Sequence, residues 1–385
     1  MRPLLVKPAI GLQGESVLLG DKSIAHRSVI ISAISHGKTT IENFPANKDC
    51  LFTVKAFQKL GIKITQENSK TSKSCSAITI SGKGLRGLSS PKGPIFLGDS
   101  GTTLRLLLGV LAGQNFKTKL KVGKSLSQRP MLRITVPLRM MGAKIDTKTQ
   151  RHKDIPRLRF GQAKLEEYAP ITIKGGNLEP ITYKMPVASA QVKSAILLAG
   201  LYAKGKTEVI EPTKTRDHTE RILKLFKADI KLKQNTIVIK GNKELVSPGR
   251  IYIPGDISSA SFFIVLATLL LDSDIRIKGV SLNPSRTGII SVLKRMGANI
   301  RITDYRLPVT EYEPMGDIFV KSAKLRGTIV KKEEIPALID ELPILMLAAC
   351  RASGRTVFEG VSELRVKETD RINSMSGNLK KMGAD

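Results

Sequence analysis

The sequence predicts an α/β protein assembled from a repeated unit, and three observations predict it. An apolar helix with a small or polar start recurs as KSIAHRSVIISAISHGKTTIE, SGTTLRLLLGVLAG, SAQVKSAILLAGLYAKGKTEV, SSASFFIVLATLLLDSDIRI and DELPILMLAACRASGRTVF. An amphipathic helix with a Gly or Ala turn follows each of them, as FQKLGIKIT, LRMMGAKID, LKLFKADIKL, LKRMGANIRI and LKKMGAD. The two alternate with a period of roughly 70 to 90 residues, longer than the familiar solenoid repeats. Short strand patterns lie between them, so each unit reads strand, helix, strand, helix, strand, with extra strands between.

The first unit opens on LGDKSIAHRS, residues 19 to 28, just before the apolar run Val29 to Ile34. Asp21 or Ser23 is placed to cap that helix. Lys22 and Arg27 then stand at or beside a helix N-terminus, where the dipole disfavours cations by a few tenths of a kcal/mol. A bound anion would compensate; two solvated surface cations are the alternative. The second unit has GDSGTTLR, with Asp99, Ser100, Gly101, Thr102 and Arg105, and then SQRPM, where Pro130 stiffens the turn presenting Arg129. Gly101 allows a ligand to approach backbone N–H groups at a helix start. The third unit offers Ser189, Ala190 and Gln191; the fourth, GDISSAS, has the same form but no cation. The fifth has Asp340 and Glu341, then RVKETDR with Lys367, Glu368 and Arg371. It stops at Ala384-Asp385, where the other copies enter a strand, and this predicts a chain lacking the rest of unit five and a sixth unit.

Each of these positions has a plain structural reading. Asp340 could be an N-cap, and Glu368 with Arg371 an exposed i,i+3 ion pair. As a set they differ. Cations, hydroxyls and carboxylates recur at equivalent ends of a repeated unit, and units set about pseudo-threefold axes would bring those ends to one cleft. Such a cleft would bind two anionic groups and still hold acid–base residues.

Composition is that of a globular chain, with a net charge high for an enzyme. Of 385 residues 41% are hydrophobic, and with no Trp and 4% aromatics the core must be aliphatic. Length allows two or more domains. No stretch is long and apolar enough for a membrane span; the strongest, Ser261 to Leu271, is too short. MRPLLVKPAIGLQGE lacks the apolar run and cleavage site of a signal peptide. Cys50, Cys75 and Cys350 are isolated, which suggests neither disulfides nor zinc and fits a reducing cytosol. The net charge of +30 admits nucleic acid or anionic substrates. The excess is spread along the chain and densest between Phe116 and Phe160, where Asp146 and Asp154 are the only acids. No aromatic-rich RNA surface or zinc finger accompanies it, so neither a nucleic-acid nor a membrane partner is expected.

GDKSIAHR, GDSGTTLRLL, QRPM, ASAQVKSA, TRDHTER, IDELPIL and RVKETDR closely resemble the 5-enolpyruvylshikimate-3-phosphate (EPSP) synthase family, in that family's order and spacing along the whole chain. ASAQVKSA and TRDHTER resemble its less herbicide-sensitive branch. The family's C-terminal motif around DHRIAM is absent, which agrees with the missing sixth repeat. The resemblance implies a two-domain inside-out α/β barrel, the enolpyruvyl transferase fold, built from βαβαββ units. Residues 21–253 would form the first three-unit domain, and 1–20 with 254–385 the second, discontinuous and incomplete at its C-terminus. It implies a cytoplasmic transferase of the shikimate pathway, on the route to chorismate and the aromatic amino acids. The reaction would move the enolpyruvyl group of phosphoenolpyruvate to the 5-hydroxyl of shikimate 3-phosphate and release phosphate. No metal or organic cofactor is implied, and a monomer is expected. The family is the target of glyphosate, which occupies the phosphoenolpyruvate site.

Carried over residue by residue, Lys22, Ser23 and Arg27 match shikimate 3-phosphate contacts, and Lys22 also reaches phosphoenolpyruvate. Ser189 and Ala190 match the phosphate-binding pair, and Gln191 the residue that touches both ligands. Arg216 matches a cation near that phosphate, and Lys367 a further contact. Gly101, Arg129 and Arg371 match the phosphoenolpyruvate side. Asp340 matches the proposed base, also touching shikimate 3-phosphate, and Glu368 the proposed proton carrier, with Lys22 beside them in the catalytic set. Asp99 departs from the Asn of many members, and an extra carboxylate near phosphate would call for a partner in Arg105 or Lys22.

Two other functions are open to such a chain. The sister transferase acting on UDP-N-acetylglucosamine shares the fold, but carries Lys-Asn where Lys22-Ser23 stand and a reactive Cys in unit two; Gly113 to Arg133 has none. A decayed, non-catalytic anion- or nucleic-acid-binding relative is the other.

Overall fold

The computed structural model describes residues 7–68, 75–151, 165–305 and 312–384. Residues 1–6, Asp154, Phe160 and Asp385, which enter the sequence reading, lie outside these, as does the Cys75 side chain. The chain divides into a larger unit, Lys22–Ile253, and a smaller one, Met1–Asp21 with Pro254–Asp385.

In chain order, β1 (Gln13–Val17) precedes the first repeat, α1 (Lys22–Ala33), β2 (His36–Glu42), α2 (Lys48–Lys59), β3 (Lys63–Asn68) and β4 (Cys75–Lys83). The second is β5 (Ile95–Phe96), α3 (Gly101–Ala112), β6 (Lys117–Lys121), α4 (Leu132–Met140), β7 (Lys144–Arg151) and β8 (Leu165–Lys174). The third is β9 (Thr182–Lys184), α5 (Ala190–Gly200), β10 (Lys206–Ile210), α6 (His218–Leu225), β11 (Asp229–Lys233) and β12 (Thr236–Lys240). After β13 (Arg250–Tyr252) comes the fourth: α7 (Ile257–Leu269), β14 (Asp274–Ser281), α8 (Gly288–Arg295), β15 (Asn299–Tyr305) and β16 (Met315–Lys321). β17 (Ile329–Val330), α9 (Leu342–Cys350), β18 (Val357–Phe358) and α10 (Arg371–Lys381) belong to the fifth.

Four sheets share one strand order: β13-β2-β4-β3, β5-β6-β8-β7, β9-β10-β12-β11 and β1-β14-β16-β15. In each, the first pair is parallel and the other two are antiparallel. Among the described residues the βαβαββ unit is thus present in full four times. In the second and third copies the parallel edge strand precedes its own helix. The first and fourth exchange theirs: β1, which leads into α1, joins β14, while β13, which leads into α7, joins β2.

The local chemistry repeats as well. The amphipathic helices α2, α4, α8 and α10 end just before a left-handed glycine, Gly61, Gly142, Gly297 and Gly383, which closes the C-terminus without a Cβ clash. The third copy puts Lys227 there, at φ 64°. The apolar helices are the core of the larger unit: Ile24 to Ala33 of α1, Thr103 to Ala112 of α3 and Val192 to Gly200 of α5 are all buried. A Cβ on Gly109 would fall 2.3 Å from the Ala195 carbonyl oxygen, so α3 and α5 touch at a point only glycine permits. The smaller unit packs α7, α8 and α9 on the β14-β16-β15 face around Ile264, Ile277, Leu293 and Leu345. No helix among the described residues is long and apolar enough to cross a membrane.

Candidate active site

In the larger unit Lys22 and Ser23 open α1, Gly101 opens α3, and Ser189 caps α5 with Ala190 and Gln191 in its first turn, while Arg129 and Arg216 lie in loops. Ser100 caps α3, accepting from the Thr103 amide at 3.4 Å. Its hydroxyl continues through Thr103 (2.7 Å) and Thr53 (2.7 Å) to His26 Nδ1 (2.6 Å), a buried relay joining α1, α2 and α3. Ser189 caps α5, accepting from the Val192 amide. Gln191, in the first turn of α5, is held from α3: Arg105 Nη1 donates to its Oε1 at 2.6 Å, and its Nε2 donates to Thr102 Oγ1 at 3.0 Å.

The start of α3 is flanked by guanidinium groups. A Cβ built on Gly101 would lie 3.2 Å from Arg105 Nη1 and 3.5 Å from Arg129 Nη1. Two cations therefore converge on a helix N-terminus whose first residue has no side chain, an arrangement suited to a compact anion. Arg129 follows a short 3-10 turn, Leu126–Gln128, and donates from Nη2 to Ser125 Oγ at 3.5 Å. Asp99 secures that turn. Its Oδ1 accepts from the Leu126 amide at 2.8 Å, and Gly123 leaves room for it, since a Cβ there would fall 2.6 Å from the carboxylate. The expectation that Asp99 calls for Arg105 or Lys22 is thus corrected: its carboxylate holds the backbone that carries Arg129.

The start of α1 divides its polar residues by depth. Lys22 is exposed at the first helical position, with Ser23 half-buried beside it. Ser23 is inside the helix and not its cap; its carbonyl accepts from Arg27 Nη1 at 2.9 Å. Arg27 is buried, donating to Thr219 Oγ1 at 2.6 Å and Ser194 Oγ at 3.0 Å, which ties α1 to α5 and α6. Arg216 is half-buried in the loop before α6. That loop is fixed by Glu211, which accepts the Thr215 amide at 3.1 Å and also receives Lys193 Nζ at 3.1 Å. Lys193 reaches Glu220 at 2.6 Å as well. Burial pushes the Glu220 carboxyl up despite the neighbouring ammonium.

In the smaller unit, Arg371 opens α10 and binds two predicted carboxylates: Nη1 donates to Asp340 Oδ1 at 3.2 Å and Nε to Glu368 Oε1 at 2.9 Å. Burial works against its charge, yet Glu368 and Asp340 raise its pKa overall. The i,i+3 pair is therefore real, but its partner Asp340 lies far away in sequence, so this is more than a solvated helix face. Lys367 Nζ stands 3.6 Å from Glu363. Asp340 is not the cap of α9, a correction to the structural reading of that residue. The cap position belongs to Glu341, and its side chain makes no capping bond. Instead Glu341, with Asp21 and Asp256, faces Arg286, a residue the sequence reading passed over. The GDISSAS helix start of the fourth unit, which carries no cation, receives one from a loop of the same unit some 30 residues downstream.

The sequence model of EPSP synthase (3-phosphoshikimate 1-carboxyvinyltransferase) matches residues 6–385. The 3-phosphoshikimate 1-carboxyvinyltransferase of Bacillus licheniformis is 45% identical over 97% of this chain and 82% of its own length. That of Petrotoga mobilis is 46% identical over 99% and 83%. An EPSP synthase structure from Acinetobacter baumannii superposes with a TM-score of 0.81 at 43% identity, covering 97% of this chain and 79% of that one. The enolpyruvyl transferase NikO from Streptomyces tendae, at 18% identity and a TM-score of 0.68 over 90% of this chain, shares the fold. With the two-domain inside-out α/β architecture and its repeated βαβαββ unit, the chain belongs to the EPSP synthase family.

Proposed function

We propose that this chain carries out its family's reaction with the residues named above. The reaction is transfer of the enolpyruvyl group of phosphoenolpyruvate to the 5-hydroxyl of shikimate 3-phosphate, with release of phosphate, in aromatic amino acid biosynthesis. The observation that carries the assignment of residues is the convergence of Arg105 and Arg129 on Gly101 at the start of α3.

Gly101, Arg129 and Lys22 hold the carboxylate and phosphate of phosphoenolpyruvate, with Arg371 neutralising the same ligand. Planar guanidinium forks match these anions bidentately. Ser23, Arg27, Ser189, Ala190, Arg216 and Lys367 bind shikimate 3-phosphate, and Gln191, oriented by Arg105 and Thr102, contacts both substrates. Addition to the enol carbon needs one proton taken from the hydroxyl and one delivered to the methylene. Asp340 takes the first and Glu368 delivers the second. Glu368 starts protonated and ends the addition as a carboxylate beside Arg371, while Asp340 ends it protonated; phosphate then leaves as Glu368 takes a proton back from the new methyl group and Asp340 returns its proton to the departing phosphate, and the cations stabilise the charge of the tetrahedral intermediate. The protein works as a cytoplasmic monomer.

Replacing Arg129 by Lys tests the assignment, because it keeps the charge and removes the fork. Calorimetric titration of the whole protein should show phosphoenolpyruvate binding weakened much more than shikimate 3-phosphate binding. Equal losses, or none, would overturn the placement of Arg129.

A further inference from the structure

Arg286 is among the most deeply buried side chains of the smaller unit, 2% exposed. Its backbone is set by a turn: the Arg286 amide donates to the Asn283 carbonyl at 2.8 Å, and Asn283 Oδ1 accepts from the Ser285 amide at 2.9 Å. From there the guanidinium reaches three carboxylates on three separate segments. Nη1 donates to Asp21 Oδ2 at 3.0 Å, and Nη2 lies 3.4 Å from Glu341 Oε1 and 3.6 Å from Asp256 Oδ1. Nη2 also donates to Ser258 Oγ at 2.6 Å, and that hydroxyl donates to Glu341 Oε1. Asp21, Asp256 and Glu341 are themselves 0%, 8% and 1% exposed.

Each segment matters to the site. Glu341 follows Asp340 directly. Asp21 and Asp256 sit where the chain passes between its two units, and these crossings are paired by backbone bonds, Asp21 N to Pro254 O at 2.9 Å and Asp256 N to Leu19 O at 3.1 Å. Arg286 faces three buried carboxylates, and burying charges costs more than packing apolar groups of the same size. What such a cluster supplies is fixed geometry. A planar fork can hold several carboxylates in set directions, which a lysine cannot do. Burial pulls against the charged guanidinium, but Asp21, Glu341, Asp256 and the more distant Asp340 together raise its pKa.

We propose that Arg286 is a positioning residue for enolpyruvyl transfer, fixing through Glu341 the turn that carries Asp340 and anchoring the two chain crossings to that same turn. The proposal rests on the reading of Asp340 as the base. A displacement of about 1 Å at a reacting group can cost about a hundredfold in rate, so the effect belongs in turnover and not in substrate binding.

The test is a double-mutant cycle in the whole protein with Arg286→Lys and Asp340→Asn. Arg286→Lys should lower kcat about 10- to 100-fold and change the KM of shikimate 3-phosphate less than about threefold. In the Asp340→Asn background the same change should cost less than about threefold, because the group it positions is already disabled. Glu341→Gln, which retains size and an acceptor, should lower kcat in the same sense and stands in if Arg286→Lys does not fold. A lower melting temperature with unchanged kcat in either variant, or losses that multiply in the double variant, would overturn the proposal. Asp340→Asn with normal turnover would instead defeat the base assignment, which separates the two failures.

Discussion

Arg105 on α3 and Gln191 on α5 are joined by a hydrogen bond of 2.6 Å between the ends of their side chains. It links the helix start proposed for phosphoenolpyruvate to the side chain proposed to touch both substrates. Arg105→Met should therefore raise the KM of both substrates, by about tenfold each, for the loss of a charge-assisted hydrogen bond of about 1.5 kcal/mol. Steady-state kinetics with each substrate varied in turn will check this. An effect confined to phosphoenolpyruvate would mean that Arg105 acts only as a charge at α3.

Gly101 leaves a defined space. A methyl group there would stand 3.2 Å from Arg105 Nη1 and 3.5 Å from Arg129 Nη1, both ends of flexible side chains that can give way by a few tenths of an ångström. Gly101→Ala should fold normally, raise the KM of phosphoenolpyruvate several-fold and relieve inhibition by glyphosate. Inhibition curves for the two proteins are the measurement. A wild-type site indifferent to glyphosate would assign tolerance to other residues.

Asp370 ties the last helix to pH. It caps α10, accepting from the Asn373 amide at 3.0 Å, and Arg365 lies 3.0 Å away. The capping amide first, and then Arg365, hold its carboxyl below the usual range. A carboxyl depressed in the folded state contributes stability above the ordinary Asp value of about 3.9 and loses it as pH falls through the lower folded value. Hydrogen-exchange protection of the Asn373 amide should thus be constant above about pH 5 and fall below about pH 3.9. In Asp370→Ala the protection should be low throughout, and the KM of phosphoenolpyruvate should rise, because Arg371 occupies the first turn of this helix. Protection independent of pH would remove Asp370 from the cap.

The repeat was legible because both of its signals are local. The apolar helix and the Gly or Ala turn recur within each copy: Gly61, Gly142, Gly297 and Gly383 mark equivalent points, and the third copy puts Lys227 there with Ala228 after it. The helix starts were legible for the same reason, since capping is a matter of a few neighbouring residues. What the sequence hid was long-range pairing. Arg286 meets Asp21 across 265 residues and Glu341 across 55, and nothing in NPSRTG announces those partners. Lys193 was visible within ASAQVKSA, but its bonds to Glu211 and Glu220 depend on how α5, α6 and the loop between them pack. Asp99 drew notice as a departure from the family, and its use became clear only with the amide of Leu126 in place.

The measurement that tests the account most directly is phosphate release from phosphoenolpyruvate in the presence of shikimate 3-phosphate, compared between the whole protein and its Asp340→Asn variant. Calorimetry of shikimate 3-phosphate binding would run beside it. If Asp340 takes the proton from the 5-hydroxyl, turnover should fall by about two to four decades, while affinity for shikimate 3-phosphate stays within about tenfold. Near-normal turnover in the variant would contradict the account and leave Asp340 as a partner of Arg371 with no part in the chemistry.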